Sequence, residues 1–166
     1  MVAQSKQIAQ PNLSVVDANT DPLSKILEIL ARDGGVIVHN MLTSDVVTRL
    51  KNELDPTTEA TQVGPKTEHK TVNYFWGEKT KRFTRLAQRS QTFADEVLVH
   101  HILLGVSDAL LKPNCASYWM NTGQMMIVMP SGNPQYMHRD SDDWPKMCSP
   151  TTEVCQVSCM FALSDF

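Results

Sequence analysis

The first part of the chain carries apolar residues at the spacing of an α-helix. They recur at i, i+3, i+4 and i+7 and would line one helical face, at Leu23, Ile26, Leu27 and Leu30. Asp21 is the predicted N-cap of this helix, because an acceptor side chain followed by proline is typical of a helix start. Gly34 is the predicted end of the helix. A short β-branched strand is predicted over 36–38.

A second helix is predicted over about 45–54, with Thr43 or Ser44 as its N-cap. Residues 55–72 are polar, contain two prolines and lack any period, which predicts a long exposed loop. An aromatic and basic cluster follows at 73–82. We interpret this cluster either as a strand that packs its rings beside solvated lysines, or as a pocket wall that meets an organic substrate or its carboxylate.

The second half of the chain changes from a helical to an alternating period. A helix capped by Ser90 is predicted over 92–100, and a further helix is predicted to about Leu111. Farther along, aromatic, β-branched and methionine residues lie between turn signals, which predicts antiparallel strands over 114–121, 124–129, 135–140 and 153–163. The chain therefore divides into a flexible lead-in over 1–20 and one α+β domain over 21–166, in which helices precede the sheet.

Composition narrows the function classes. The 166 residues carry a formal charge of −3, with 20% charged and 42% hydrophobic residues, so neither nucleic-acid binding nor attachment to a membrane surface is expected. No apolar run approaches the roughly 20 residues of a membrane span, and no secretory signal is recognisable. The four cysteines form no C-x-x-C pair, which favours reduced thiols and a cytoplasmic protein.

The strongest candidate chemistry lies at 135–140, where His138 and Asp140 are two residues apart. On a strand, residues i and i+2 project to the same face, so the imidazole and the carboxylate would lie side by side. Arg139 would point to the opposite face, as a structural ion-pairing residue. Histidine and carboxylate are the ligands of the facial triad that binds Fe(II) in non-haem oxygenases. An isolated H-x-D sequence also occurs by chance, so the pair needs support from its surroundings.

Six segments in a fixed order give that support, at 33–38, 75–77, 112–115, 121–124, 135–140 and 161–166. Together they resemble the phytanoyl-CoA dioxygenase family, and more closely its fungal branch that oxidises alkaloids and meroterpenoids. The resemblance implies N-terminal helices packed on a double-stranded β-helix, or jelly-roll, core. Residues 21–166 would form the N-terminal part of that domain, with the core incomplete.

The resemblance also implies the site and its ligands. His138 and Asp140 would bind Fe(II), 2-oxoglutarate would serve as co-substrate, and O2 would oxidise a small organic molecule. Four residues would line the pocket for the co-substrate or substrate: Gln135, Asn121, Gln124 and Thr80. The third iron-binding histidine of the family and its 2-oxoglutarate-binding arginine have no counterpart here, so the chain resembles a C-terminally truncated member. Open sheet edges then predict a homodimer or a heterodimer with a full-length paralogue.

Alternative functions remain open at this point. The chain could be a catalytically inactive, truncated paralogue, or a non-enzymatic partner that donates its sheet edge to a full-length dioxygenase. It could also be a cupin-like metal enzyme that uses no 2-oxoglutarate. Four other histidines lie outside the strand context of the family's third ligand: His39, His69, His100 and His101. The adjacent pair is interpreted as structural, because neighbours on a helix point about 100° apart.

Overall fold

A computed structural model describes residues 13–65, 67–144 and 154–164 of the chain. The first twelve residues of the predicted lead-in and residues 145–153 therefore lie outside the described residues. The described part contains helices and two separate two-stranded sheets, which confirms a mixed α+β content. The jelly-roll core stays a prediction. Among the described residues, none of the helices combines the length and apolar character needed to cross a lipid bilayer.

The chain forms two compact units, Met1–Met41 and Leu42–Phe166. The elements of the first are β1 (Val15–Asp17), α1 (Leu23–Asp33) and β2 (Ile37–His39). The elements of the second are α2 (Ser44–Ala60), α3 (Lys70–Trp76), β3 (Thr80–Thr84), α4 (Leu86–Arg89), a π-helix (Phe93–Val97), α5 (His101–Leu111), a 3₁₀ turn (Lys112–Asn114), β4 (Gln124–Val128) and a second 3₁₀ turn (Asp140–Asp143).

In the first unit, β1 and β2 pair in parallel across α1. Strand β1 lies in the predicted lead-in and was not expected. Gly34 ends α1 as predicted, at a φ of 75°, and its N–H donates to the Leu30 carbonyl at 2.9 Å. The prediction of Asp21 as N-cap was wrong, because the helix starts after Pro22. The Asp21 carboxylate instead accepts hydrogen bonds from the Asp17 backbone N–H and the Lys25 ammonium, each at 2.8 Å.

In the second unit, α2 begins as predicted, with the Thr43 hydroxyl accepting from the Val46 N–H at 3.3 Å. The predicted end near Leu54 was wrong, since the helix continues through Pro56 to Ala60. Proline removes one backbone donor and leaves one carbonyl unpaired. Because Pro56 is exposed, water can solvate that carbonyl and the helix tolerates the loss.

The core of the second unit lies between α2, the π-helix and the sheet of β3 and β4. It consists of Val46, Leu50, Leu54, Phe83, Leu86, Phe93 and Val97. Leu42, Leu98, Met125, Phe161 and Leu163 pack against it while partly buried. Because Phe83 opposes Met125 across the antiparallel pair, one face of this sheet belongs to the core. Residues 154–164 reach the same core through Phe161 and Leu163.

Three strand predictions in this unit were wrong. Residues 114–121, 135–140 and the described part of 153–163 contain no strand, although β4 matches the strand predicted over 124–129. A strand requires a neighbour that supplies ladder hydrogen bonds, which alternation along the chain cannot reveal. Tyr118, in the first of these segments, binds a helix instead: its hydroxyl donates to Asp108 on α5 at 2.5 Å.

The aromatic and basic cluster is a strand in only one of its parts, and its interpretation as a pocket wall stays a prediction. It splits into a helical part, α3, and the strand β3, with Gly77 between them at a φ of 84°. A side chain at Gly77 would place Cβ 2.6 Å from the Thr80 hydroxyl. Glycine is therefore required both by the left-handed backbone and by the close approach of Thr80.

The helix predicted over 92–100 and the further helix predicted to about Leu111 are separate, and the second begins after His100. Ser90 caps the first as predicted, accepting from the Phe93 N–H at 2.9 Å. His100 is the N-cap of α5, where its Nδ1 accepts from the Ile102 N–H at 3.3 Å, and its ring stacks on His101. These contacts agree with the structural role predicted for the adjacent histidines.

One cysteine also departs from the expectation of reduced thiols. Cys115 and Cys159 are free, whereas Cys155 is disulfide-bonded. A disulfide depends on two sulfur atoms meeting in space, which sequence spacing alone does not establish.

A carboxylate on α2 connects that helix to the start of the π-helix. Glu53 accepts hydrogen bonds from the Ser90 hydroxyl, from the Thr92 backbone N–H at 3.0 Å and from the Thr92 hydroxyl at 2.8 Å. These hydrogen bonds hold the pKa of the Glu53 carboxyl below its usual range, and the bond from Ser90 has the largest effect. Burial acts in the opposite direction and raises that pKa. Its ionised form therefore stabilises the folded unit.

We expect the substitution Glu53→Gln to lower the free energy of unfolding by about 1–2 kcal/mol at pH 7, since it removes charge-assisted hydrogen bonds at a partly exposed site. A carboxyl whose pKa is lower in the folded than in the unfolded protein stabilises the fold fully at a pH above its unfolded pKa of about 4.3. That stabilisation is lost as the pH falls through its folded pKa. The gap between wild type and Glu53→Gln in urea unfolding should therefore narrow below about pH 4. Glu59→Gln, on an exposed position of the same helix, should change little; an equal loss in both variants would contradict this role.

Candidate functional site

The C-terminal end of α3 positions two parts of the candidate site. The last carbonyls of a helix lack intrahelical partners and accept hydrogen bonds from elsewhere. The Phe75 carbonyl accepts from the Gln135 side-chain amide at 2.8 Å, and the Trp76 carbonyl accepts from Arg82 Nε at 3.0 Å. Two consecutive peptide groups of α3 therefore each bind one part of the site. The first binds the segment that precedes His138, and the second binds the Arg82 guanidinium on β3.

The His138 ring is oriented by its own backbone and by an aromatic neighbour. Its Nδ1 lies 2.9 Å from the Tyr136 carbonyl oxygen, and the Phe75 ring meets it edge-on with centroids 4.8 Å apart. A carbonyl oxygen only accepts, so we assign the imidazole proton to Nδ1. In the neutral ring the lone pair is then on Nε2, the atom that faces Asp140. This orientation resembles that of metal-binding histidines, whose other nitrogen donates to a carbonyl or carboxylate.

Asp140 presents one oxygen to the histidine and the other to a serine. Its Oδ1 lies 3.4 Å from His138 Nε2, and its Oδ2 accepts from the Ser158 hydroxyl at 2.9 Å. Both residues of the predicted pair therefore lie side by side, although their backbone differs from the predicted strand. Residues 135–139 are irregular and Asp140 starts a 3₁₀ turn, because no neighbouring strand among the described residues supplies ladder bonds to this segment.

The separation of the two donor atoms is compatible with a shared metal ion. Two ligand atoms about 2.1 Å from one octahedral ion lie about 3 Å apart when they are at right angles. The observed 3.4 Å needs only a small adjustment. Within residues 13–65, 67–144 and 154–164, no group of three or more His, Cys, Asp or Glu side chains could hold a metal. The described part of the chain thus offers two ligands.

Arg139, between these two residues, does not have its predicted role among the described residues. It is exposed and forms no ion pair with any of them. An exposed guanidinium is fully hydrated, so the fold gives it no need for a carboxylate partner.

The outward face of the β3–β4 sheet gathers several polar groups. Cross-strand pairing puts Thr80 opposite Val128, and Arg82 opposite Met126, on the face that points away from Phe83. Arg82 Nη1 donates to the Gln124 side-chain oxygen at 3.0 Å and contacts Met126 Sδ at 2.8 Å. Two of the predicted pocket residues, Thr80 and Gln124, therefore share a face with Arg82.

Arg82 has no carboxylate partner among the described residues. Burial lowers the pKa of its guanidinium. Its hydrogen bonds go to neutral acceptors, which compensate only part of the cost of removing a charge from water. A partly desolvated guanidinium of this kind is suited to bind an anionic group, and carboxylates match its planar geometry.

The structure brings together some of the predicted site residues and leaves one apart. Gln135 is linked to the pair through Phe75, and Thr80 and Gln124 share the Arg82 face. Asn121 is exposed, and its side chain makes no hydrogen bond to another described residue. Arg82 and Ser158 were not among the predicted site residues, and no strand forms over the described part of 153–163 that would have marked Ser158 by alternation.

Comparison with known proteins shows consistent matches. Residues 30–166 match the family described as phytanoyl-CoA dioxygenase (PhyH). Dioxygenase trt7 of Aspergillus terreus is 31% identical over 142 residues, covering 84% of this chain and 48% of that protein. Dioxygenase olcK of Penicillium canescens is 30% identical over 149 residues, covering 89% and 49%. Dioxygenase FUM3 of Gibberella moniliformis is 28% identical over 151 residues, covering 87% and 50%. The chain spans about half the length of these curated relatives.

The contact between Phe75 and His138 gives a test of how the pair is held. We expect Phe75→Ala to increase amide hydrogen exchange in residues 135–140 by a few-fold up to about 10-fold, since an edge-on aromatic contact contributes about 0.5–1.5 kcal/mol. Exchange in β3 and β4 should stay unchanged. Tyr74→Ala, a half-exposed position on the same helix, is the matched control. Equal effects of both variants on 135–140 would contradict the role of Phe75.

Proposed function

Since the chain belongs to the phytanoyl-CoA dioxygenase family, we propose that it carries the iron-binding pair and part of the co-substrate site of an Fe(II)/2-oxoglutarate-dependent dioxygenase. The observation that carries this proposal is the placement of His138 Nε2 3.4 Å from Asp140 Oδ1. Two acceptor atoms at this distance repel each other unless a cation or a proton lies between them. A divalent metal would satisfy both.

His138 and Asp140 would hold the iron, and each is prepared for that task by its neighbours. The Tyr136 carbonyl keeps the histidine proton on Nδ1, and Phe75 restricts the ring plane. When bound, Fe(II) would supply the redox chemistry that couples O2 and 2-oxoglutarate to oxidation of the substrate. We propose that the third protein ligand comes from outside the described residues, for which a homodimer or a heterodimer with a full-length paralogue is one source.

The face of Arg82 would receive a carboxylate of 2-oxoglutarate. Its guanidinium is partly desolvated and bonded only to neutral groups, and Gln124 and Thr80 lie on the same face. A dianionic co-substrate would replace those weaker interactions with a charge-assisted pair. Gln135 and Asn121 complete the proposed set of pocket residues, the first through its link to Phe75.

The proposed substrate is a bulky apolar organic molecule, such as an alkaloid or terpenoid of fungal secondary metabolism. Two aromatic rings lie beside His138, since Phe75 contacts both Tyr136 and His138, and Tyr74 and Trp76 on the same helix as Phe75 are about half exposed, at 50% and 47%. Exposed rings beside a polar centre provide area for an apolar ligand. The fungal relatives are named dioxygenases, which supports oxidation of a substrate as a proposal for this chain.

Succinate release tests the proposed activity. We expect the purified chain, supplied with Fe(II), ascorbate and 2-oxoglutarate, to release succinate, and His138→Ala to reduce the rate to background because one of two ligands is lost. His69→Ala, at an exposed position, should keep the full rate. A wild-type rate no higher than that of His138→Ala would contradict the proposal. A stable complex with a full-length homologue, without turnover, would then favour the non-enzymatic partner.

Anaerobic titration tests the co-substrate site separately. We expect 2-oxoglutarate to produce a visible charge-transfer band with the Fe(II)-loaded chain, and Arg82→Gln to weaken that binding about 10-fold or more, as for loss of a charged hydrogen bond. Arg85→Gln, which removes an exposed guanidinium nearby, should change the titration little. No band in the wild type would favour the cupin-like enzyme without 2-oxoglutarate.

A further inference from the structure

We propose that Ser158 is a positioning residue, which turns the Asp140 carboxylate so that one oxygen faces His138. This inference rests on the proposed function, because it assigns a role toward the metal pair. Ser158 lies 18 residues after Asp140, and its hydroxyl donates to Asp140 Oδ2 at 2.9 Å. The other oxygen, Oδ1, is left 3.4 Å from His138 Nε2.

The hydrogen bond selects between the two ways in which a carboxylate can meet a metal. A free aspartate rotates about its last torsion and offers either oxygen, or both, to a cation. With Oδ2 engaged by Ser158, the oxygen that faces Nε2 stays Oδ1. The serine therefore favours binding through one oxygen and reduces the rotational freedom that metal binding would otherwise remove.

A glutamine two residues earlier supports this direction of donation. Gln156 Nε2 lies 3.5 Å from the Ser158 oxygen, on the donor side of a long hydrogen bond. The serine oxygen can accept there while its hydrogen points to Asp140. Gln156 Oε1 is buried and has no hydrogen-bond partner among the described residues, so this oxygen is shielded from water.

The segment that carries Ser158 is anchored to the core of its own unit. Phe161 and Leu163 pack, partly buried, against the cluster formed around Leu50 and Phe83. Ser158 itself is exposed, so its hydroxyl can be removed without leaving a cavity. The Asp140 carboxylate is thus linked to the core through Ser158, and the His138 imidazole is linked to α3 through Phe75.

Cobalt(II) titration of the full chain, followed by visible absorption, tests the role of Ser158. We expect Ser158→Ala to weaken Co(II) binding by about 10-fold or more, the usual cost of removing a group that orients a metal ligand. Ser158→Thr keeps the hydroxyl and should restore most of the affinity and the wild-type spectrum. Ser164→Ala removes an exposed hydroxyl from the same segment, and its binding should equal that of the wild type. Thermal unfolding of all four proteins should coincide.

The outcomes separate this inference from the proposed function. If the wild type shows no saturable Co(II) binding, or if His138→Ala binds equally well, the metal pair itself is refuted. If the wild type binds through His138 but Ser158→Ala binds with the same affinity, only the positioning role is overturned. If Ser158→Thr fails as Ser158→Ala does, despite equal thermal stability, the hydroxyl is not the group responsible and the inference also falls.

Discussion

The C-terminal end of α3 is the constraint on which the candidate site depends. Its last two peptide groups have no helical partners, and side chains from two distant parts of the sequence bind them, Gln135 at Phe75 and Arg82 at Trp76. Because the two carbonyls are consecutive, the segment before His138 and the polar face of β3 are held by the same turn. Gly77 makes this arrangement possible, since only glycine fits the left-handed backbone beside Thr80.

The charged groups of the candidate site are few, and each faces neutral or acceptor atoms. His138 and Asp140 turn two acceptor atoms toward each other, and Arg82 holds a partly buried positive charge against neutral acceptors. Under the proposed function each arrangement would receive a ligand of the opposite charge, a cation for the pair and an anion for the guanidinium. The polar atoms are prepared by neighbours that are themselves ordinary structural contacts, a carbonyl, an aromatic edge and a serine hydroxyl.

Several parts of the fold could be predicted because the chain encodes them locally. Capping by Thr43 and termination at Gly34 both follow from residues within a few positions of each other. His138 and Asp140 were also predicted as neighbours, although the strand from which that prediction was drawn is absent. The resemblance to a known family added Gln124 and the other pocket residues to the candidate site, and their roles stay predictions.

The chain by itself therefore determined two of the helix ends, at Gly34 and Thr43, together with the family and the identity of the candidate pair. Only the tertiary structure decided that the pair lies in an irregular segment rather than a strand, that α2 continues past Pro56, and that Ser158 binds Asp140. The physical reason is the same in each case. A cap or a helical period involves residues close in sequence, whereas a β-ladder, a solvated helix face or a hydrogen bond across 18 residues depends on which distant groups the fold brings together.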